Sequence, residues 1–373
     1  MSERERARRE KLVDVMTNAG LDGYLVVDPV NVSYLTGFKG DDSFLWIGDS
    51  GACILSDTRF EEQIAQECPD IGAEIRSSGQ STHELLEVAI SNTKYSSVRP
   101  VKVGIESQST TLSLYEALRA RFSDLNFIGR ESDVERLRSV KDSDEIEAIQ
   151  RAIDVSIAAY REIKAAVGSD ASEIDIRNEL EYTMRKFGAD DVSFPSIVAF
   201  DERAALPHAI PTSVGRLGDA KMVLIDWGAK KEGYVGDLTR SYLTERGQSE
   251  AAREYRAKFN EIFQIVLEAH DKAIEAIKPG VPCNEIDSIA RDSIRDAGYG
   301  DYFGHGLGHG IGRVVHDFGG FSPNATDLLV ENMIVTVEPG IYLPGWGGIR
   351  IEDDVLVTAN GARMMSSELP VDE

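Results

Sequence analysis

The sequence predicts two domains, an α/β layer domain over residues 1–132 and an α+β domain over residues 133–373. Three observations lead there. The chain has 373 residues, more than twice a typical domain of about 150. Up to about residue 130, short β-rich runs alternate with amphipathic helical ones, the pattern of an α/β layer. Beyond it, long helical patterns are followed by extended runs of antiparallel character, which favours helices packed on one side of an antiparallel sheet.

In the first half, GYLVV (23–27), SFLWIG (43–48), ACILS (52–56) and VKVGI (101–105) read as strands. Between them, RFEEQIAQEC (59–68), HELLEVAISN (83–92) and TLSLYEALRARF (111–122) read as helices. No GxGxxG or GxxxxGK follows a strand, so a phosphate loop is not expected. The densely charged stretch 129–149 reads as the joint. Asp142 there is placed to cap a helix, with Glu145 completing a capping box. Ile146, Ile149, Ile153, Ile157, Tyr160, Ile163 and Val167 then recur at spacings of three and four, and Gly168 is expected to end the helix. A second long helix carries Tyr255, Phe259, Ile262, Phe263, Val266, Ile274 and Ile277 and stops at Lys278-Pro279-Gly280.

Composition narrows the function. Hydrophobic residues make up 42% and charged residues 28%, the balance of an ordinary globular protein. Acids outnumber bases 64 to 40, and the net charge of -24 repels phosphate backbones and anionic lipid, so neither nucleic acid nor a membrane surface is an expected partner. The N-terminal stretch lacks an apolar core, and Cys53, Cys68 and Cys283 form no CxxC pair. A reducing, cytoplasmic setting is expected.

The chemistry lies in the second half. In MVLIDWGAKKEGYVGDLTRSYL (222–243), two β-like runs flank a polar turn at Lys230–Gly233. A turn centred between Lys231 and Glu232 sets Asp226 opposite Asp237. In NMIVTVEPGIYLPGWGGIRIEDDVLVT (332–358), a turn centred near Gly345 makes Glu338 and Glu352 equidistant partners. Like charges facing each other inside apolar strands destabilise a sheet unless something positive lies between them. Divalent metals are the natural resolution.

The run FGHGLGHGIGRVVHDFGGF (303–321) holds His305, His309 and His316, three of the six histidines, and their spacings of four and seven exclude HExxH. His208 lies in the Pro-flanked ALPHAIPTS (205–213), whereas His83 and His270 sit in helical patterns without supporting acids. One imidazole with four carboxylates is a hard, oxygen-rich set suited to Mn(II) first, with Co(II), Fe(II) or Zn(II) as alternatives. Two metals sharing four acids is an arrangement for hydrolysis by a bridging hydroxide.

The ordered set Asp226, Asp237, His309, Glu338, Glu352, with HGLGHGIG, VEPGIY and GIRIEDD around the later members, resembles the pita-bread metallopeptidases over roughly residues 135–365. That family includes methionine aminopeptidase, aminopeptidase P and prolidase. The leading ~130 residues, including NVSYLTGF (31–38), are similar to the creatinase/prolidase-type N-terminal domain and turn the resemblance toward the proline-directed branch. The resemblance implies that Asp226, Asp237, His309, Glu338 and Glu352 hold two divalent metals, with Glu338 also the proton shuttle. It implies that His208 and His316 stabilise the tetrahedral intermediate and hold substrate. His305 and Tyr342 match substrate-side positions, and Arg350 is a partner of the metal ligands or a substrate anchor.

Prolidases resemble one another in an arginine after the second catalytic histidine, and residues 317–337 contain no Arg or Lys. This turns the expectation toward an Xaa-Pro aminopeptidase, with an Xaa-Pro dipeptidase as the alternative. Non-catalytic pita-bread modules lose metal ligands, whereas all five positions are kept here. A homodimer is the assembly that the resemblance implies.

Overall fold

The computed structural model describes residues 3–48, 51–92 and 101–371. They divide into two compact units, Met1–Arg138 and Ser139–Glu373. The first opens with α1 (Glu3–Asn18), β1 (Gly23–Val26) and α2 (Pro29–Thr36), then β2 (Phe44–Gly48), β3 (Gly51–Asp57), α3 (Glu61–Glu67) and β4 (Gly72–Arg76). It closes with α4 (Thr82–Ser91), β5 (Val101–Glu106), α5 (Leu112–Arg121), β6 (Leu125–Arg130) and α6 (Asp133–Ser139). The six strands form one sheet in the order β4-β3-β2-β1-β5-β6. Strand β2 is antiparallel to β1 and β3, and the remaining pairs are parallel.

Strands β4 and β6 were not legible in the sequence. Both are sheet edges, half or fully exposed over most of their length, and so lack the apolar run of a central strand. Helix α6 packs with the first unit, because Val134 and Leu137 join the core built around Leu12, Tyr24 and Leu45. The units therefore part after Arg138 rather than at residue 132.

The second unit begins with α7 (Ser143–Ala166), capped as expected by Asp142, whose side chain accepts from Glu145 N while Glu145 bonds back. The helix ends at Ala166, with Val167 rather than Gly168 as its extended C-cap. Next come α8 (Glu173–Lys186), β7 (Asp191–Val192), β8 (Ile197–Phe200), β9 (Met222–Trp227), β10 (Ala229–Lys231), β11 (Tyr234–Val235) and β12 (Leu238–Leu243). Helices α9 (Glu250–Ala276) and α10 (Cys283–Asp296) precede β13 (Gly308–Gly310), β14 (Asp317–Phe321), β15 (Ile334–Val337) and β16 (Gly340–Leu343). Strands β17 (Gly347–Arg350), β18 (Asp353–Thr358) and β19 (Gly361–Met364) complete the unit.

Every strand pairing in this unit is antiparallel. The sheets are β12-β9-β8, β11-β10-β7, β14-β13-β15-β18-β19 and the β16-β17 ribbon. This is the pita-bread fold. Helix α7 covers β9 through Tyr160, which stacks on Trp227 at 4.5 Å, while Trp227 Nε1 donates to Ser156 O at 2.9 Å. No helix among the described residues is long and apolar enough to cross a membrane.

Candidate metal centre

The two hairpins place the acids. In the first, Lys231 pairs with Tyr234 and Asp226 with Thr239, so the turn is centred between Glu232 and Gly233, one residue beyond the expected centre. Asp226 therefore does not pair with Asp237. The slip moves the partner by two residues, and because a strand alternates faces with period two, Asp237 still shares a face with Thr239. The two aspartates meet diagonally rather than directly.

In the second hairpin, Gly340↔Arg350 and Val337↔Asp353 are both symmetric about Gly345. Glu338 and Glu352 fall at the break between the β16-β17 ribbon and the β15-β18 ladder. There Glu338 N bonds to Leu307 O, and Glu352 makes an isolated bridge to Thr239.

His309 reaches the acids from β13. Gly308 and Gly310 flank it because side chains there would run into Thr336 O at 2.0 Å and Phe318 O at 2.2 Å. The His309 backbone N–H donates to Thr336 Oγ1, and ring Nδ1 lies 3.1 Å from Gly310 O. Donation from Nδ1 leaves the Nε2 lone pair facing the acids, 3.6 Å from both Asp237 Oδ2 and Glu338 Oε1. Such distances are too long for a hydrogen bond. Ligand atoms of Asp237, His309 and Glu352 all lie within 4.8 Å of one another.

Electrostatics agrees that this cluster wants a cation. Burial, then repulsion from Glu352, Asp226, Asp354 and Glu338, pushes Asp237 well above the ordinary carboxyl range. Burial does the same to Glu352, reinforced by Glu338 and Asp226, and raises Glu338 to about 8. Asp226 is raised by burial too, with Arg350 opposing. Burial, then the neighbouring His316, pulls His309 down to about 4, which makes it a neutral imidazole at physiological pH. Asp226 Oδ1 and Asp237 Oδ1 are buried without a hydrogen-bond partner. Unpartnered buried carboxylate oxygens around a neutral imidazole fit divalent metal, the metals this family uses.

Arg350 binds the cluster together from inside. Nη2 donates to Asp226 Oδ2 at 2.6 Å, Nη1 to the Tyr342 hydroxyl at 2.8 Å and Nε to Thr239 Oγ1 at 3.0 Å. Thr239 in turn donates to Glu352 Oε2 at 2.6 Å. Tyr342 continues the chain to His305 Nε2 at 2.9 Å, and His305 Nδ1 lies 2.8 Å from Gly306 O. Burial, then the Arg350 charge, lowers His305 to about 4, so its Nε2 is an acceptor for Tyr342.

One cavity of about 590 Å³ is lined by Asp226, Asp237, His309, Glu338 and Glu352 together with His208, His305, His316 and Arg350. His316 reaches it edge-on to His309, with ring centroids 4.4 Å apart. Tyr342 stands behind the lining, joined through His305 and Arg350.

Thr239 and Asp354 are supporting residues that the sequence reading missed. Asp354 Oδ2 accepts from the Asp237 backbone N–H at 3.0 Å. The spacing of two that puts Asp237, Thr239 and Ser241 on one strand face was the available signal for Thr239. His270 requires a correction. It has acidic support, wholly buried on α9 with Nδ1 3.1 Å from Asp271 Oδ1 and Nε2 3.1 Å from Asp353 Oδ2. Asp353 is itself held by Arg240 at 2.7 Å and by Ser366. His83 lies on α4 and takes no part in the cavity.

Comparison with known proteins places the chain in a family. Residues 147–359 match the model of metallopeptidase family M24, and residues 8–140 match the creatinase/prolidase N-terminal domain. The uncharacterized peptidase YqhT of Bacillus subtilis is 36% identical over 357 residues, covering 96% of this chain and 97% of its own. The structure of an Xaa-Pro dipeptidase from Bacillus anthracis superposes with a TM-score of 0.89 at 33% identity, covering 99% of each chain. That of an X-Pro aminopeptidase from Thermotoga maritima does so with a TM-score of 0.83 at 35% identity, covering 95% of this chain and 97% of the other. The chain belongs to metallopeptidase family M24, and a creatinase/prolidase-type domain precedes its metallopeptidase region.

Proposed function

We propose that this metallopeptidase removes the N-terminal residue from Xaa-Pro peptides, acting as an Xaa-Pro aminopeptidase. The observation that carries the reading is the convergence of four carboxylates and a neutral imidazole in one cavity with His208, His305 and His316. In this reading Asp226, Asp237, His309, Glu338 and Glu352 hold two divalent cations, Mn(II) first and Co(II), Fe(II) or Zn(II) as alternatives. When bound, such a pair polarises the scissile carbonyl and activates water for attack.

The remaining work falls to the protein. Glu338 has a side chain 17% accessible, against 5% for Asp237, and is the acid placed to carry a proton from water to the departing proline nitrogen. His208 and His316 face the cavity as donors to the oxyanion, and His305, held from behind by Tyr342, forms its substrate-side wall. Phe194, Pro195, Ile197, Pro207, Pro211 and Val315 supply an apolar lining suited to the pyrrolidine ring. Arg350 anchors Asp226 and Tyr342. A homodimer in the cytoplasm completes the proposal.

The second reading is an Xaa-Pro dipeptidase, favoured by the similarity to the Bacillus anthracis enzyme of that description. Purified protein loaded with Mn(II) or Co(II) should release the first residue from Xaa-Pro-Xaa peptides, and a chelator should stop it. Cleavage of Xaa-Pro with Xaa-Pro-Xaa left intact selects the dipeptidase, and cleavage of neither refutes both.

A further inference from the structure

We propose that Arg177, on α8, is a specificity-determining residue that binds the C-terminal carboxylate of a short Xaa-Pro substrate at the mouth of the cavity. The inference rests on the peptidase reading above.

Glu173, Arg177 and Glu181 follow one another at four-residue intervals and so form a ridge along α8. Each outer member fastens one wall of the cavity. Glu173, wholly buried, accepts from Phe200 N at 2.8 Å, from Thr212 N at 2.9 Å and from Arg203 Nε at 3.0 Å. Arg203 also donates to Ile210 O at 2.6 Å, so the loop carrying His208 is pinned at both ends and in the middle. Glu181 accepts from Ser196 N at 2.9 Å and holds the Phe194–Ile197 wall.

Arg177 lies between these two fastenings and lines the cavity. Among the described residues its guanidinium meets only the neighbouring Asn178 amide oxygen, at 2.8 and 3.2 Å. Arg350 is the other Arg or Lys in the lining, and it is occupied by Asp226, Tyr342 and Thr239. Among the described lining residues, Arg177 is thus the one cation with no carboxylate partner. That is unusual in a chain of net charge -24.

The chemistry then fixes which end of a substrate this position receives. A peptide zwitterion carries an ammonium at one end and a carboxylate at the other. A guanidinium repels the first and pairs with the second in a two-pronged geometry. Only a short peptide has its carboxylate within the cavity, so Arg177 favours short substrates over long ones.

The test uses the Mn(II)-loaded full chain and kcat/KM for Ala-Pro and Ala-Pro-Ala, each as free acid and as C-terminal amide, with Ala-Pro-Glu-amide as a side-chain carboxylate. For the short peptide it cleaves best, the wild type should prefer acid to amide about tenfold, the scale of one partly solvated charged contact. R177Q should bring that ratio toward one, R177E should invert it, and R177K should retain most of it. Inversion by the opposite charge is not expected of a merely structural residue. A ratio near one in the wild type, or the same ratio in wild type, R177Q and R177E, overturns the assignment. A preference confined to Ala-Pro-Glu-amide also overturns it. If the wild type cleaves no Xaa-Pro peptide, the peptidase reading itself has failed and this inference falls with it; that result differs from intact turnover with an unmoved ratio.

Discussion

Arg350 and Asp226, 124 residues apart, form an ion pair with Nη2 2.6 Å from Oδ2 and both side chains largely buried. Asp226 is left with one oxygen, Oδ1, free of hydrogen bonds and buried beside the other acids. The arginine thereby holds one edge of the carboxylate and leaves the other to the cavity. Replacing Arg350 by Gln strands a buried carboxylate and should cost the metal-free protein about 3–5 kcal/mol. Lysine should restore only part of this, because it cannot serve Asp226, Tyr342 and Thr239 with one planar group. Urea unfolding of the metal-free variants checks it, and R350Q unfolding at the wild-type midpoint would refute it.

Thr239 is the hinge between this pair and the metal cluster, receiving from Arg350 Nε and donating to Glu352. T239V keeps the shape and removes both bonds. Its affinity for Mn(II), read by calorimetry, should fall about 10–100-fold, the usual loss for a partner behind a ligand. D237A removes a proposed direct ligand and should lose more than T239V. Equal affinities in T239V and wild type would show that Glu352 is held by other means.

Glu173 should matter through the loop it fastens. E173A leaves Arg203, Thr212 N and Phe200 N without their acceptor. The expected cost is about 1–3 kcal/mol, because Phe200 N and Thr212 N lose their acceptor while the one-third-exposed Arg203 can turn to water. KM for an Xaa-Pro peptide should rise as the His208 loop loosens. A variant with lowered stability but unaltered KM would separate the loop from substrate binding.

Removing metal should change how stability depends on pH. Glu338 titrates at about 8 in the metal-free fold, and burial raises Asp237 and Glu352 in the same direction. An unfolded glutamate titrates near 4.3. Between those values the folded chain holds protons that the unfolded chain has released, so this contribution to stability falls as pH rises through the window. His305 and His309, lowered to about 4, act in the opposite sense up to about pH 6.5, so the Tm of metal-free protein should decline from pH 6.5 to pH 8. Added Mn(II) should raise Tm more at pH 8 than at pH 5.5, since the ligands must be deprotonated to bind. A metal-free Tm that rises over this interval would contradict the raised carboxyl pKa values.

Much of this arrangement follows from sequence, for a local reason. Strand period and turn position fix which face a residue occupies, so the four acids were assigned to hairpin interiors even though one turn centre was misplaced. A one-residue error in the turn centre moves a partner by two and leaves the face unchanged, as Asp226 opposite Thr239 shows. The cap at Asp142 and the glycines around His309 are equally local. What remained illegible is what covers each face. Edge strands β4 and β6 lacked an apolar run, and α6 gave no sign that Val134 would pack with the first unit. His270 read as unsupported because Asp353 comes from a distant strand, just as Arg240 lies 113 residues from the same acid. Arg177 was one cation among 40 basic residues until folding set it between two cavity walls without an acid. Sequence alone determined the proposed metal-binding set and the orientation of its carriers, because both depend on neighbours along the chain. Only tertiary structure decided which charges are paired and which stand open, because pairing depends on elements that meet across a hundred residues or more.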